Sequence, residues 1–126
     1  MSRDPRLYLA DIVEACRRVE RFAAGRNDDQ VMSDEIVRDA ILYNIVVIGE
    51  AAAALTRGGI ETQLPAVPWS RIRAMRNILA HEYFGVDRDL VIEVVRRKVP
   101  ELRQAVEAAL GDPERWSKTS KKPPRR

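Results

Sequence analysis

At 126 residues, with 45% hydrophobic and 33% charged side chains, the chain suits one domain with a real core and is too short for two. That balance excludes a disordered polymer. No uninterrupted apolar run approaches the roughly 20 residues needed to cross a bilayer, and no apolar segment follows Met1-Ser-Arg-Asp-Pro5, so neither a membrane nor a secretion signal is expected. A single cysteine, Cys16, leaves no internal disulfide and fits a reducing compartment, with the cytoplasm as the default.

The net charge of +3 is unevenly placed. Residues 112–126 carry six basic side chains (Arg115, Lys118, Lys121, Lys122, Arg125, Arg126) against Asp112 and Glu114, or +4, which leaves −1 for residues 1–111. The expected organisation is a helical domain over 1–111 and a basic, flexible C-terminal tail over 112–126. Such a tail can touch nucleic acid through phosphates, or can simply be a solvated end.

In chain order, Asp4-Pro5 opens a first helix, a capping oxygen followed by proline at the first helical position. Leu9, Ile12, Val13, Cys16, Val19 and Ala23 then form one apolar stripe. Gly25 to Gln30 reads as a polar break. Ser33 is the expected cap of the second helix, with Asp34 and Glu35 in its first turn. From Ile36 to Leu55 that helix is apolar on more than one side, so it is central in its own bundle or also packs against a partner chain. Gly58-Gly59 ends it, and 58–67 reads as a loop. Pro68 and Trp69 open the third helix, with Ile72, Met75 and Leu79 on its core stripe and Phe84-Gly85-Val86 as its break. Asp87 caps the next, followed by Leu90, Ile92, Val94 and Val95. Pro100 should kink or restart the chain, since proline costs a helix interior about 3 kcal/mol. Leu102, Val106 and Leu110 complete the last helix. With no alternating strand pattern and no repeat, the fold class is all-α, a bundle of four long helices and a short one.

The chemistry-bearing run is Met75-Arg-Asn-Ile-Leu-Ala-His-Glu-Tyr-Phe84, which holds the only histidine of the chain, His81. At about 100° per residue, Arg76 and Tyr83 lie on nearly one line of a helix and Asn77 and His81 on another, while Arg76 and His81 are roughly 140° apart. One intact helix does not aim that pair at one atom. Either the helix ends near His81, or a two-fold partner brings a second copy across one cleft. A histidine near its ordinary pKa of about 6.5 can move a proton at a ribose hydroxyl or a leaving oxygen. Arginine's fork stabilises a charged phosphorane. One histidine and one cysteine cannot build the usual zinc site, no carboxylate cluster suggests magnesium, and no metal or other cofactor is expected.

Plainer readings fit the same spacings. His81 can be a capping or surface residue, Arg76 can pair with Glu50, and Tyr83 can be a half-buried core aromatic. Arg71 and Arg73 read as solvated, although both enlarge the positive field beside the candidate cleft, with Arg73 a candidate for positioning RNA. Glu50, set among Ile48, Gly49 and three alanines, should have a partner, with Arg76 or Arg73 nearest to hand. A DNA-binding role driven by the tail is a third class, without a recognition-helix signature to support it.

The Arg76…His81…Tyr83 spacing resembles the Arg-x4-His-x-Tyr signature of HEPN-domain ribonucleases, specifically the HepT-like toxin family. Ile48-Gly-Glu-Ala51, Val67-Pro-Trp69 and Pro100-Glu-Leu102 fall in the same order and spacing, so the resemblance spans roughly residues 5–110. It implies an antiparallel HEPN-like bundle of four to five helices, homodimeric, with its cleft between two copies of the motif helix. It implies metal-independent endoribonuclease action that leaves a cyclic phosphate, with Arg76 and His81 catalytic, Asn77 orienting the phosphate and Glu50 behind them. It further implies one half of a type VII-like toxin–antitoxin pair. The partner there is an MntA-like nucleotidyltransferase that transfers AMP from ATP to the motif tyrosine, here Tyr83. Some relatives are non-catalytic interaction modules, so binding a nucleotidyltransferase without cutting RNA is the alternative.

Overall fold

The computed structural model describes residues 3–77, 87–114 and 116. Helix α1 (Pro5–Ala23) starts as its sequence dictates: the Asp4 carboxylate accepts from the Arg6 amide at 2.9 Å and Pro5 occupies the first turn. Its buried stripe is Leu9, Ile12, Ala15, Cys16, Val19 and Ala23, with Val13 only partly covered.

The expected polar break contains the start of a further short helix, α2 (Asp28–Ser33). Asn27 and Gln30 form a capping box, each side chain bonding to the other's backbone amide at 2.9 and 2.8 Å. Ser33 therefore ends α2 rather than capping the next helix. That cap is Asp34, which accepts from the amides of Ile36 and Val37 at 3.1 and 3.2 Å at the start of α3 (Glu35–Arg57). Aspartate and serine cap about equally well, and the box upstream decides between them.

Helix α3 is the central element. Ile41, Leu42, Ile45, Ile48, Ala51, Ala52 and Leu55 are buried, whereas Ile36 and Tyr43 stand 82% and 65% exposed on one line of its outer side. Buried Asn44 returns a bond to the Ala40 carbonyl at 2.8 Å. By length and average composition α3 could cross a bilayer, although Arg38, Asp39 and Glu50 interrupt its apolar run; more than half of its most apolar window is buried in the bundle, as in a core helix.

After Gly58 and left-handed Gly59 (φ +85°), the expected loop holds one more turn, α4 (Ile60–Gln63). Helix α5 (Trp69–Arg73) follows Pro68 and tightens into a 3-10 turn over Ala74–Asn77. The Leu79 and Phe84-Gly85-Val86 expectations lie outside the described residues.

Asp87 caps α6 (Arg88–Glu93), accepting from the Leu90 amide at 3.1 Å. The disturbance expected at Pro100 takes the form of a wide π turn, Val94–Lys98, after which α7 (Val99–Leu110) starts with Pro100 in its first turn. Proline has no amide for the Arg96 carbonyl and its ring crowds that carbonyl, and a widened turn accommodates both. Helices α1 and α7 run antiparallel, as their paired residues show. Arg17 meets Glu107, Glu20 meets Arg103 at 2.6 Å, and Arg96 reaches the Ala23 and Arg26 carbonyls at 3.3 and 2.6 Å. Beyond α7, buried Trp116 donates its indole N–H to the Ala109 carbonyl at 2.9 Å, and Arg6 lies over its ring. Among the described residues the structure is helical without strands, an all-α HEPN-like bundle.

Candidate active site

The helix that leads into the motif, α5, is anchored by its first residue. Trp69 is buried and donates its indole N–H to the Leu64 carbonyl at 2.8 Å, and Ile72 joins it in the core. From that anchor the chain carries Arg71 and Arg76 to the surface, with Arg73 half-buried between them, and the 3-10 turn ends on exposed Asn77. Among the described residues neither Arg71 nor Arg73 makes an ion pair, so this stretch presents cations with little internal neutralisation.

The turn lies directly on α3, and Gly49 makes this possible. A Cβ at Gly49 would sit 2.7 Å from the Arg76 backbone nitrogen, 3.1 Å from the Arg76 Cβ and 3.3 Å from the Arg73 carbonyl oxygen. Glycine inside a helix costs about 1 kcal/mol relative to alanine, and here the close backbone approach gives the reason. The sequence did contain that signal, a lone helix-interior glycine among buried alanines, but it was not read as a contact point.

Next to Gly49, the Glu50 carboxylate is 3.9 Å from the Arg76 guanidinium. The expected partner is thus confirmed in identity, but not the buried setting that seemed to demand one. The Glu50 and Arg76 side chains are 64% and 41% exposed, and an open pair this long contributes little to stability. Arg76 is held near Glu50 without being consumed by it.

Sequence reasoning placed Arg73, Arg76, Asn77 and Glu50 in one site. The structure brings Arg73 and Arg76 against one turn of α3 beside Glu50, and ends the tightened turn on Asn77. His81 and Tyr83 lie outside the described residues. An angle of roughly 140° between Arg76 and His81 holds only for an unbroken α-helix, and the 3-10 turn already departs from that spacing at Arg76 itself. An apolar groove of about 460 Å³ between α5 and the helix 88–110 is lined by Ile72, Met75, Leu90, Val94 and Leu102, among others, and not by Arg73, Arg76 or Asn77. Arg76 and Asn77 therefore lie on open surface, outside that pocket.

Two other groups can be placed. Burial, reinforced by nearby Glu20, pushes the Cys16 thiol up to about 12, so it stays protonated inside the core and is no nucleophile. Among the described residues no three His, Cys, Asp or Glu side chains cluster closely enough to hold a metal ion.

Known proteins are similar to this chain in sequence over most of its length. The profile of the ribonuclease HepT-like family matches residues 12–109. A Methanocaldococcus jannaschii protein named "Putative RNase" is 32% identical over 106 residues, covering 84% of this chain and 96% of its own. The "Probable ribonuclease HepT" of Thermococcus cleftensis is 30% identical over 103 residues, 82% of this chain and 93% of its own. A third relative, "Gamma-glutamylcyclotransferase and putative RNase" of Methanocaldococcus jannaschii, is 32% identical, and this chain spans only 47% of its length. No solved structure matches the chain. The match over most of the chain, with the motif segment inside it, shows that this protein belongs to the ribonuclease HepT-like family.

Proposed function

We propose that the chain is a metal-independent endoribonuclease that works as a homodimer and is the toxin of a toxin–antitoxin pair. The observation that carries this reading is the presentation of Arg76: an exposed guanidinium on a turn pinned to α3, with only a long, solvated contact to Glu50. In the reaction, a ribose 2′-oxygen attacks the adjacent phosphorus while His81 takes its proton. The bond to the 5′-oxygen breaks, that oxygen takes up the proton His81 returns, and a 2′,3′-cyclic phosphate remains. Arg76 stabilises the charge that builds on the phosphoryl oxygens, and Asn77 and Arg73 hold the phosphate.

Open placement of these groups supports a second wall supplied by another copy. The line of Ile36 and Tyr43 on α3, seven residues apart, continues to Glu50 and so to Arg76. A two-fold partner on that face would bring two motif segments together around one cleft. Control is assigned to Tyr83. A nucleotidyltransferase partner would catalyse attack of the tyrosine oxygen on the α-phosphorus of ATP, with loss of pyrophosphate. The AMP would add bulky negative charge to the motif segment and repel RNA. This reading takes the cytoplasm as its compartment.

Purified protein should cut RNA in the presence of EDTA and leave cyclic-phosphate ends readable by mass spectrometry. His81→Ala should lower the rate by about a hundred- to ten-thousandfold with the oligomeric state unchanged. Cleavage by His81→Ala at the wild-type rate would sink the assignment. Wild-type protein that binds a nucleotidyltransferase and cuts nothing would leave the interaction-module reading. A mass gain of one AMP with partner and ATP, lost in Tyr83→Phe, tests the control mechanism.

A further inference from the structure

We propose that Gly49 is a positioning residue for Arg76, a notch in α3 that sets how deep and at what angle the motif turn lies. The inference rests on the ribonuclease reading for its effect on rate, and on geometry alone for the contact. A Cβ at Gly49 would come 2.7 Å from the Arg76 nitrogen, closer than the 3.0 Å that real Cβ atoms keep. The atoms in the way are the Arg76 nitrogen, the Arg76 Cβ and the Arg73 carbonyl oxygen. None is the tip of a flexible side chain, so none can swing aside. The whole turn has to move, by about 0.7 Å if ordinary contact at 3.4 Å is to be restored.

That movement falls on the residue whose guanidinium must meet a phosphorane. The rest of the cationic stretch is less exposed to it: Arg71 lies in α5 on the Trp69 anchor, and Arg73 is met only through its carbonyl oxygen at 3.3 Å, a tight contact rather than an overlap. Gly49 therefore acts on transition-state alignment more than on RNA capture. A misplacement approaching 1 Å can cost on the order of a hundredfold in rate, and loss of an interaction made only in the transition state appears in kcat. Gly58 is the built-in comparison. It lies at the end of the same helix, and a Cβ there meets nothing nearer than the Leu55 carbonyl at 3.5 Å, an ordinary contact.

The experiment compares Gly49→Ala, Gly58→Ala and wild type for kcat and KM on a labelled RNA, with thermal melts alongside. Gly49→Ala should lose about ten- to a hundredfold in kcat with KM within about twofold. Its Arg76 Nε–Hε signal, assigned through Arg76→Lys, should shift. Gly58→Ala should keep wild-type kcat. A Gly49→Ala protein that melts lower but keeps kcat overturns the proposal, because its role would then be packing alone. In unmutated protein a nuclear Overhauser contact should join the Gly49 Hα to the Arg76 amide. Its absence overturns the proposal even if Gly49→Ala fails to fold. If wild type cuts no RNA, the nuclease reading falls, and the Overhauser contact with the Arg76 shift alone decides for or against Gly49.

Discussion

The α1–α7 seam and the motif segment on α3 use charge in opposite ways. Along the seam almost every cation is paired: Arg103 bridges Glu20 at 2.6 Å and Glu107 at 2.8 Å, and Arg17 shares Glu107. Arg96 donates to the Ala23 carbonyl at the end of α1 and to the Arg26 carbonyl beyond it, and reaches Asp28 at 3.2 Å. On the motif segment, Arg71 and Arg73 make no ion pair among the described residues and Arg76 has only the long contact to Glu50. Backbone placement there is nevertheless tight, fixed by Trp69 at one end and Gly49 at the other. The difference teaches where each kind of work is done. The seam spends its charges on the fold. The motif segment holds its backbone through packing and leaves its cations available to a substrate.

The largest effect expected is on the seam. Ile12, fully buried on α1, should cost about 2–5 kcal/mol when changed to alanine, from lost transfer energy and the cavity left behind. Denaturant unfolding measures it, and RNA cleavage per folded molecule should not change. A fall in activity without a fall in stability would break the separation. Next comes Arg76→Ala, expected to lower kcat about a hundred- to a thousandfold while the melting temperature stays within a few degrees. A melting temperature lowered well beyond a few degrees in that variant would show that the guanidinium serves the fold after all.

How much of this was legible in the sequence follows the same division. Asp4-Pro5, the α1 stripe, Gly58-Gly59, Pro68-Trp69 and Asp87 were read correctly because each is local chemistry: a cap, a period or a break. Ser33 was misread because two good caps stand side by side, and the Asn27/Gln30 box that settles the matter was taken for loop. Pro100 was read as a kink or restart and the helix does restart there, but the π turn that accommodates the lost amide leaves no mark in the apolar period. The pairing of Glu50 with Arg76 was legible from residue type and spacing. The 3-10 tightening at Arg76 and the notch at Gly49 were not, since both depend on how closely two distant segments approach.

A smaller effect separates the two regions by pH. The guanidinium of Arg17, helped by Arg103, holds the Glu107 carboxyl below its ordinary value. A carboxylate depressed in the folded state stabilises the fold above its unfolded pKa of about 4.3, and that contribution is lost as pH falls through the folded value. Glu107→Gln should therefore melt below wild type at pH 7, with the gap closing as the buffer is taken below about pH 4. A gap of constant size from pH 7 to pH 3 would assign the loss to packing instead of charge.

The smallest effect is expected at Glu50, and its sign matters most. Both side chains of the Glu50–Arg76 pair are largely solvated and 3.9 Å apart, so removing the charge should change stability by less than about 1 kcal/mol. If the carboxylate only holds Arg76 in place, Glu50→Gln should slow cleavage. If Arg76 is already fixed by the Gly49 notch, Glu50 instead competes with phosphate for the guanidinium, and its loss should tighten RNA binding. The close backbone contact at Gly49 favours the second outcome, since it places the Arg76 backbone without help from the carboxylate. Glu50→Gln is thus expected to lower KM by about two- to threefold at low salt, where a single exposed charge is least screened, with kcat unchanged. The advantage should fade as salt is raised. A drop in kcat in this variant would move Glu50 from competitor to positioning residue, and would join it to Gly49 as part of the same notch.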